Sequence, residues 1–115
     1  MGWAEFIEIL ERRLGMFAGR ATYERAVAMV IGFDLAQDHP IHTVIEERVM
    51  ARNGSGPMGW PWVLLAEALG RDLSARLDLG PLEADEDRAA IGLLSRELRA
   101  CLADRAAPAR EPEDG

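Results

Sequence analysis

The sequence contains no lysine, and all thirteen of its basic residues are arginines scattered from Arg12 to Arg110. Without a clustered basic stretch there is no footprint for neutralising phosphates, so nucleic acid is disfavoured as a partner. A single cysteine, Cys101, excludes an intramolecular disulfide and fits a reducing compartment. No run approaches the roughly 20 apolar residues needed to span a bilayer. The opening Met1-Gly2-Trp3-Ala4-Glu5 lacks the basic flank and apolar core of a secretion signal, so a soluble, cytoplasmic protein is expected, with no membrane association. No pair of alternating apolar runs flanks a hairpin turn, and no internal repeat or low-complexity block is present.

What is there is an ordinary globular balance: 115 residues, 49% hydrophobic and 29% charged, with a formal charge of -7. That length suits one core and is too short for two. A net negative field favours encounter with basic partners.

Helical periodicity organises the chain. Trp3, Phe6, Ile7, Leu10 and Leu14 fall on one face of a first helix over 3–14, with Glu5, Glu8 and Arg12 on the other. Gly15 to Gly19 is expected to form an apolar turn in which Met16 and Phe17 plug the core. Thr22 is a suitable N-cap for a second helix over 23–37. Between Ala26 and Phe33 that helix carries no charged or strongly polar side chain, which predicts enclosure by neighbours and a central position. Asp38 and Pro40 suit the start of a third helix, with Ile41, Val44, Ile45 and Val49 as its buried stripe. Pro61 opens a fourth, closed at Gly70, and Asp72 caps a short turn through Leu77. The acidic run Glu83, Asp85, Glu86, Asp87 suits the positive start of a long last helix, in which Ile91, Leu94, Leu98, Cys101 and Leu102 form a narrow stripe. The expectation is an all-α, compact single-domain bundle of about five helices over 1–106, with a frayed tail over 107–115.

Five constellations are candidates for function. Asp34 continues the row of Tyr23, Val27 and Val30 and so points inward, where a carboxylate needs an arginine such as Arg20, backbone donors, or a ligand. His39, His42 and Glu46, spaced i, i+3, i+7, offer ligand types that suit a metal, although Pro40 works against a helix that includes His39. The loop from Asn53 to Gly59 precedes a helix start but lacks the spacing of a phosphate loop, and is expected to be a flexible connector. Trp60 and Trp62 flank Pro61 and can either close the core or anchor a partner. Cys101 lies on an apolar stripe without an activating base, so no nucleophile is expected there. No arrangement of catalytic residues is assembled by spacing, and neither an enzyme nor a cofactor is expected.

The stretch from Phe6 to Ala36 includes Arg13-Leu14-Gly15-Met16-Phe17-Ala18-Gly19-Arg20, then Thr22-Tyr23-Glu24-Arg25 and Gly32-Phe33-Asp34. It resembles a group of small bacterial proteins in which a Gly-Met-aromatic-x-Gly turn precedes a helix ending near Gly-aromatic. Residues 53–69 are similar to that group's glycine-containing turn and tryptophan-bearing helix. The group looks like the immunity proteins of bacterial toxin systems, which implies a protein partner and no defined activity. Arg13 to Gly19 is also similar to a short signature of type II topoisomerase ATPase domains. However, Leu14 replaces that signature's proline, its acidic-asparagine pair is missing, and the chain is too short for the domain.

The expected function is therefore a small acidic protein-binding domain, of immunity type, that engages a basic partner through Glu83, Asp85, Glu86, Asp87, Trp60 and Trp62. Two alternatives stand beside it. One is a ligand or metal site built from Asp34, Arg20, His39, His42 and Glu46. The other is a self-associating scaffold, such as a homodimer, joined through the last helix.

Overall fold

The computed structural model describes residues 1–54, 58–70 and 82–106. Among these, the secondary structure is entirely helical: α1 (Trp3–Arg12), α2 (Leu14–Ala18), α3 (Tyr23–Leu35), α4 (His42–Asn53), α5 (Trp60–Leu69) and α6 (Ala84–Ala106). No helix among the described residues is long and apolar enough to cross a membrane. The expected turn over 72–77 and the tail over 107–115 lie outside the described residues.

Local chemistry sets the boundaries. Gly2 N–H donates to Glu5 at 3.4 Å, and Arg25 N–H donates to the Thr22 hydroxyl at 3.2 Å, so α1 and α3 each satisfy an otherwise open amide in their first turn. The segment expected to be an apolar turn instead winds into α2, a helix of five residues. Arg13 leaves helical geometry between α1 and α2, and Gly19 ends α2 at a φ of 86°, a conformation that glycine adopts without steric cost. Met16 does not plug the core: it is 76% exposed, on the outer side of this short helix. The side chain of Phe17 lies outside the described set. Gly70 closes α5 in the left-handed conformation, as its position after Leu69 predicted.

The core is built from one face of each longer helix, including Trp3, Phe6, Ile7 and Leu10 of α1, Ile45 and Val49 of α4, and Leu64 and Leu65 of α5. Phe6 and Phe33 stack at 4.3 Å, and Trp3 meets the Phe33 ring edge-on at 4.7 Å. Such pairs add about 0.5–1.5 kcal/mol beyond the area they bury.

The central element is α6. It packs against α1, α3, α4 and α5. It buries Asp87, Ala90, Ile91, Leu94, Ser95, Glu97, Leu98 and Cys101, an arc much wider than its apolar stripe. This corrects the expectation that α3 would be central. The α3 helix buries Tyr23, Ala26, Val30 and Asp34 but leaves Ala28, Ile31, Gly32 and Leu35 facing outward. The outer side of α6 stays open, with Arg88, Arg96 and Arg99 exposed.

Long-range bonds fix the helix directions. Tyr23 joins the start of α3 to Asp87 in the first turn of α6 and to Pro61 in the first turn of α5. Arg52 links Glu67 to Glu97 further along α5 and α6, so these two helices run parallel. Arg48 reaches back to Asp104, which sets α4 antiparallel to α6. Arg99 pairs with Glu11 at 2.7 Å and ties α6 to α1.

Candidate functional site

Three helix starts meet at Tyr23. Its backbone N–H donates to the Asp87 carboxylate at 2.7 Å, and its hydroxyl donates to the Pro61 carbonyl at 2.6 Å. The first turns of α3, α5 and α6 are therefore held within the length of one tyrosine. Burial pushes the phenol pKa well above its ordinary value, so the hydroxyl stays a donor. Each helix start carries a partial positive charge, and acidic side chains gathered there offset it.

Six residues were nominated from sequence at this end, and the fold divides them. Asp87 turns inward to receive the Tyr23 amide, which removes it as a partner contact, because a buried carboxylate needs its donors inside the protein. Trp60 is buried in the core as well. Residues two apart on a helix project about 200° from each other, so its neighbour Trp62 points outward and is 43% exposed. Glu86 receives the Glu83 backbone N–H at 3.0 Å and closes the first turn of α6. Glu83 and Asp85 face solvent. What remains outward is an indole one residue from Pro61 and two carboxylates, two and four residues before Asp87.

Asp34 points inward as expected, and backbone donors hold it instead of Arg20. Its carboxylate accepts from Ile41 N–H at 2.7 Å and from His42 N–H at 3.1 Å, with His42 Nδ1 at 3.3 Å. It thus caps α4 from a neighbouring helix, since Ile41, at the cap position, has no side-chain acceptor of its own. Arg20 is exposed after the end of α2. The ligand reading of Asp34 and Arg20 loses its basis, because the carboxylate is already engaged by the chain.

The proposed metal set does not form. Among the described residues no group of three His, Cys, Asp or Glu side chains is placed to hold a metal. The helix starts at His42, beyond Pro40, so the helical spacing that would have aligned His39 with His42 and Glu46 is broken. His39 instead offers its backbone carbonyl to Arg105. In the connector after α4, residues 55–57 lie outside the described residues. Asn53, at its start, donates to the Val49 carbonyl and to Glu67.

A polar cluster around the buried Glu97 joins α4, α5 and α6 and was missed from sequence. Glu97 receives Arg48 Nε at 2.8 Å and lies 3.0 Å from an Arg52 nitrogen. Arg52 also forms a two-pronged bond to Glu67, at 2.9 Å on each prong. Hydrogen bonding to Glu67 and Glu97 raises the Arg52 pKa, and bonding to Glu97 and Asp104 raises that of Arg48, so both stay charged. The signal was the position of Glu97 itself, three residues after Leu94 and four before Cys101, on the inner face. Burial, then the Glu97 charge, pushes the Cys101 thiol up to about 12, so it stays protonated and unreactive near neutral pH.

The Arg52 bonds hold the Glu67 carboxyl below its ordinary pKa. A depressed folded pKa stabilises the fold above the unfolded value, about 4.3, and that contribution fades as pH falls through the lower folded value. Glu67→Gln is therefore expected to flatten the loss of stability below about pH 4. An acid limb in urea unfolding that is identical to the wild type would contradict this.

Comparison of the chain with protein-family models, with curated proteins and with solved structures returned no match.

Proposed function

We propose that this chain is a small acidic protein-binding domain, not an enzyme, and that it docks a basic partner at the Tyr23 end of the bundle. The observation that carries this reading is that Trp62, Glu83 and Asp85 all face outward at the starts of α5 and α6, which Tyr23 ties together. A large aromatic that is half exposed on a rigid turn buries much area at small entropic cost, which is how interface anchors work. The two carboxylates steer an oppositely charged surface towards it and set the register. Mechanistically, such a domain acts by occlusion: it covers part of its partner. Inhibition of a basic toxin in the cytoplasm is the particular form suggested by the resemblance of residues 6–36 and 53–69 to immunity-like proteins.

The test is affinity capture with the full chain, repeated with Trp62→Ala and with Glu83→Gln combined with Asp85→Asn. The expected partner is rich in arginine or lysine. Trp62→Ala should weaken its binding by about tenfold or more. The carboxylate variant should mainly slow association and reduce the dependence on salt. A basic partner held equally by all three proteins would remove this end of the bundle as the docking site.

A further inference from the structure

Asn53 is the only asparagine in the chain, and a glycine follows it. An asparagine before glycine is the pair most open to spontaneous deamidation, because the glycine nitrogen has no side chain beside it to hinder its approach to the asparagine amide. Here the pair sits at an exposed helix end. Asn53 is the last residue of α4, and Gly54 leaves the helix at a φ of 80°, a conformation that glycine adopts without steric cost. A Cβ placed on Gly54 would meet nothing within 4 Å, so the site is open to water.

Both reacting groups are nevertheless held. The Gly54 N–H donates to the Met50 carbonyl at 2.7 Å. The Asn53 amide donates to the Val49 carbonyl at 2.8 Å and to the Glu67 carboxylate at 3.2 Å. Ring closure needs the Gly54 nitrogen to turn onto Asn53 Cγ, and that motion breaks the last turn of α4. Of the three acceptors only Glu67 comes from another helix, so α5 takes part in keeping the turn shut.

We infer that Asn53 is a self-modification site, closed by the last turn of α4 and by Glu67 of α5, at which the opened turn loses ammonia and gains a carboxylate. The chemistry needs only water. Hydroxide takes the Gly54 amide proton, the nitrogen attacks Asn53 Cγ to form a new C–N bond, and the Cγ–Nδ2 bond breaks as Nδ2 takes up a proton and leaves as ammonia. Water then opens the succinimide, at Cγ to give aspartate or at the backbone carbonyl carbon to give isoaspartate. One asparagine and one water thus become one aspartate or isoaspartate and one ammonia. The product places a carboxylate where the amide donor to Glu67 stood. Two like charges then compete for Arg52, which already forms the two-pronged bond to Glu67. The step runs one way and loosens the junction of α4 and α5.

Peptide mapping by mass spectrometry follows the replacement of NH2 by OH at Asn53 in the full chain. Hydrogen exchange follows the Gly54 amide, which must leave Met50 for either event. Hydroxide catalyses both, so at one pH they share the same gate. The folded wild type should deamidate about tenfold or more slowly than the same chain unfolded in urea. Glu67→Ala should speed both events by the same factor, about threefold or more. Asp34→Ala, which weakens the opposite end of α4, should leave both rates unchanged, because opening of the last turn is local. A folded chain that reacts as fast as the unfolded one overturns the proposal. So does a Glu67→Ala chain in which Asn53 reacts no faster than in the wild type, or an Asp34→Ala chain accelerated as much as Glu67→Ala.

Discussion

Replacing Arg48 and Arg52 together by alanine is expected to cost about 3–5 kcal/mol of folding stability. Glu97 is 5% exposed, so without its two guanidinium partners the carboxylate cannot return to water while the chain stays folded. The arginines are in a different position, because their side chains reach solvent. Glu97→Gln should consequently cost less, about 1–2 kcal/mol, since the arginines left behind can rehydrate. Either arginine variant alone should also be mild, because the remaining arginine still satisfies Glu97. The pair should thus be strongly non-additive, and a double-mutant cycle from urea unfolding measures the excess directly. If the double variant lost no more than the sum of the singles, Glu97 would not be the shared acceptor described above. Against a total stability of roughly 5–15 kcal/mol for a domain, the expected loss is large enough to leave a substantial unfolded fraction.

Asp34→Ala should cost about 2–4 kcal/mol, because it strands two backbone amides at the start of α4, including that of the buried Ile41. Asp34→Asn keeps one oxygen as acceptor and should recover roughly half of that loss. Hydrogen exchange at Ile41 and His42 reports the same event locally: both amides should lose protection in the alanine variant before the rest of α4 does. Equal stability of the two variants would assign Asp34 some role other than capping.

The two expected results show where sequence reasoning works on this chain and where it stops. The inner face of α1 was legible because Trp3, Phe6, Ile7 and Leu10 are apolar and their opposite neighbours are charged, so periodicity alone separates them. Asp34 was legible as inward-facing for the same reason. Its partners were not, because the donors come from a chain reversal seven and eight residues away. The centrality of α6 was hidden by its own polar residues. Asp87 and Glu97 look like solvent-facing groups until Tyr23, Arg48 and Arg52 arrive from other helices to satisfy them. The reverse error occurred at α3, whose uniform apolarity reads as enclosure although one side lies open. Among the residues proposed for docking, Trp62 and Trp60 carry the same sequence signal, and only the start of α5 at Trp60 decides which of them faces out.

The position of α6 also governs how the molecule assembles. The oily side of α1 finds its cover on a helix some ninety positions later in the chain, as the Glu11 to Arg99 bond marks. Helical bundles usually fold fast because their neighbours in space are neighbours in sequence. Here Trp3 and Phe6 meet Phe33 within the early part of the polypeptide, but the contact of α1 with α6 needs a distant loop to close. Completion of the core depends on the final helix, which α1, α3, α4 and α5 all contact.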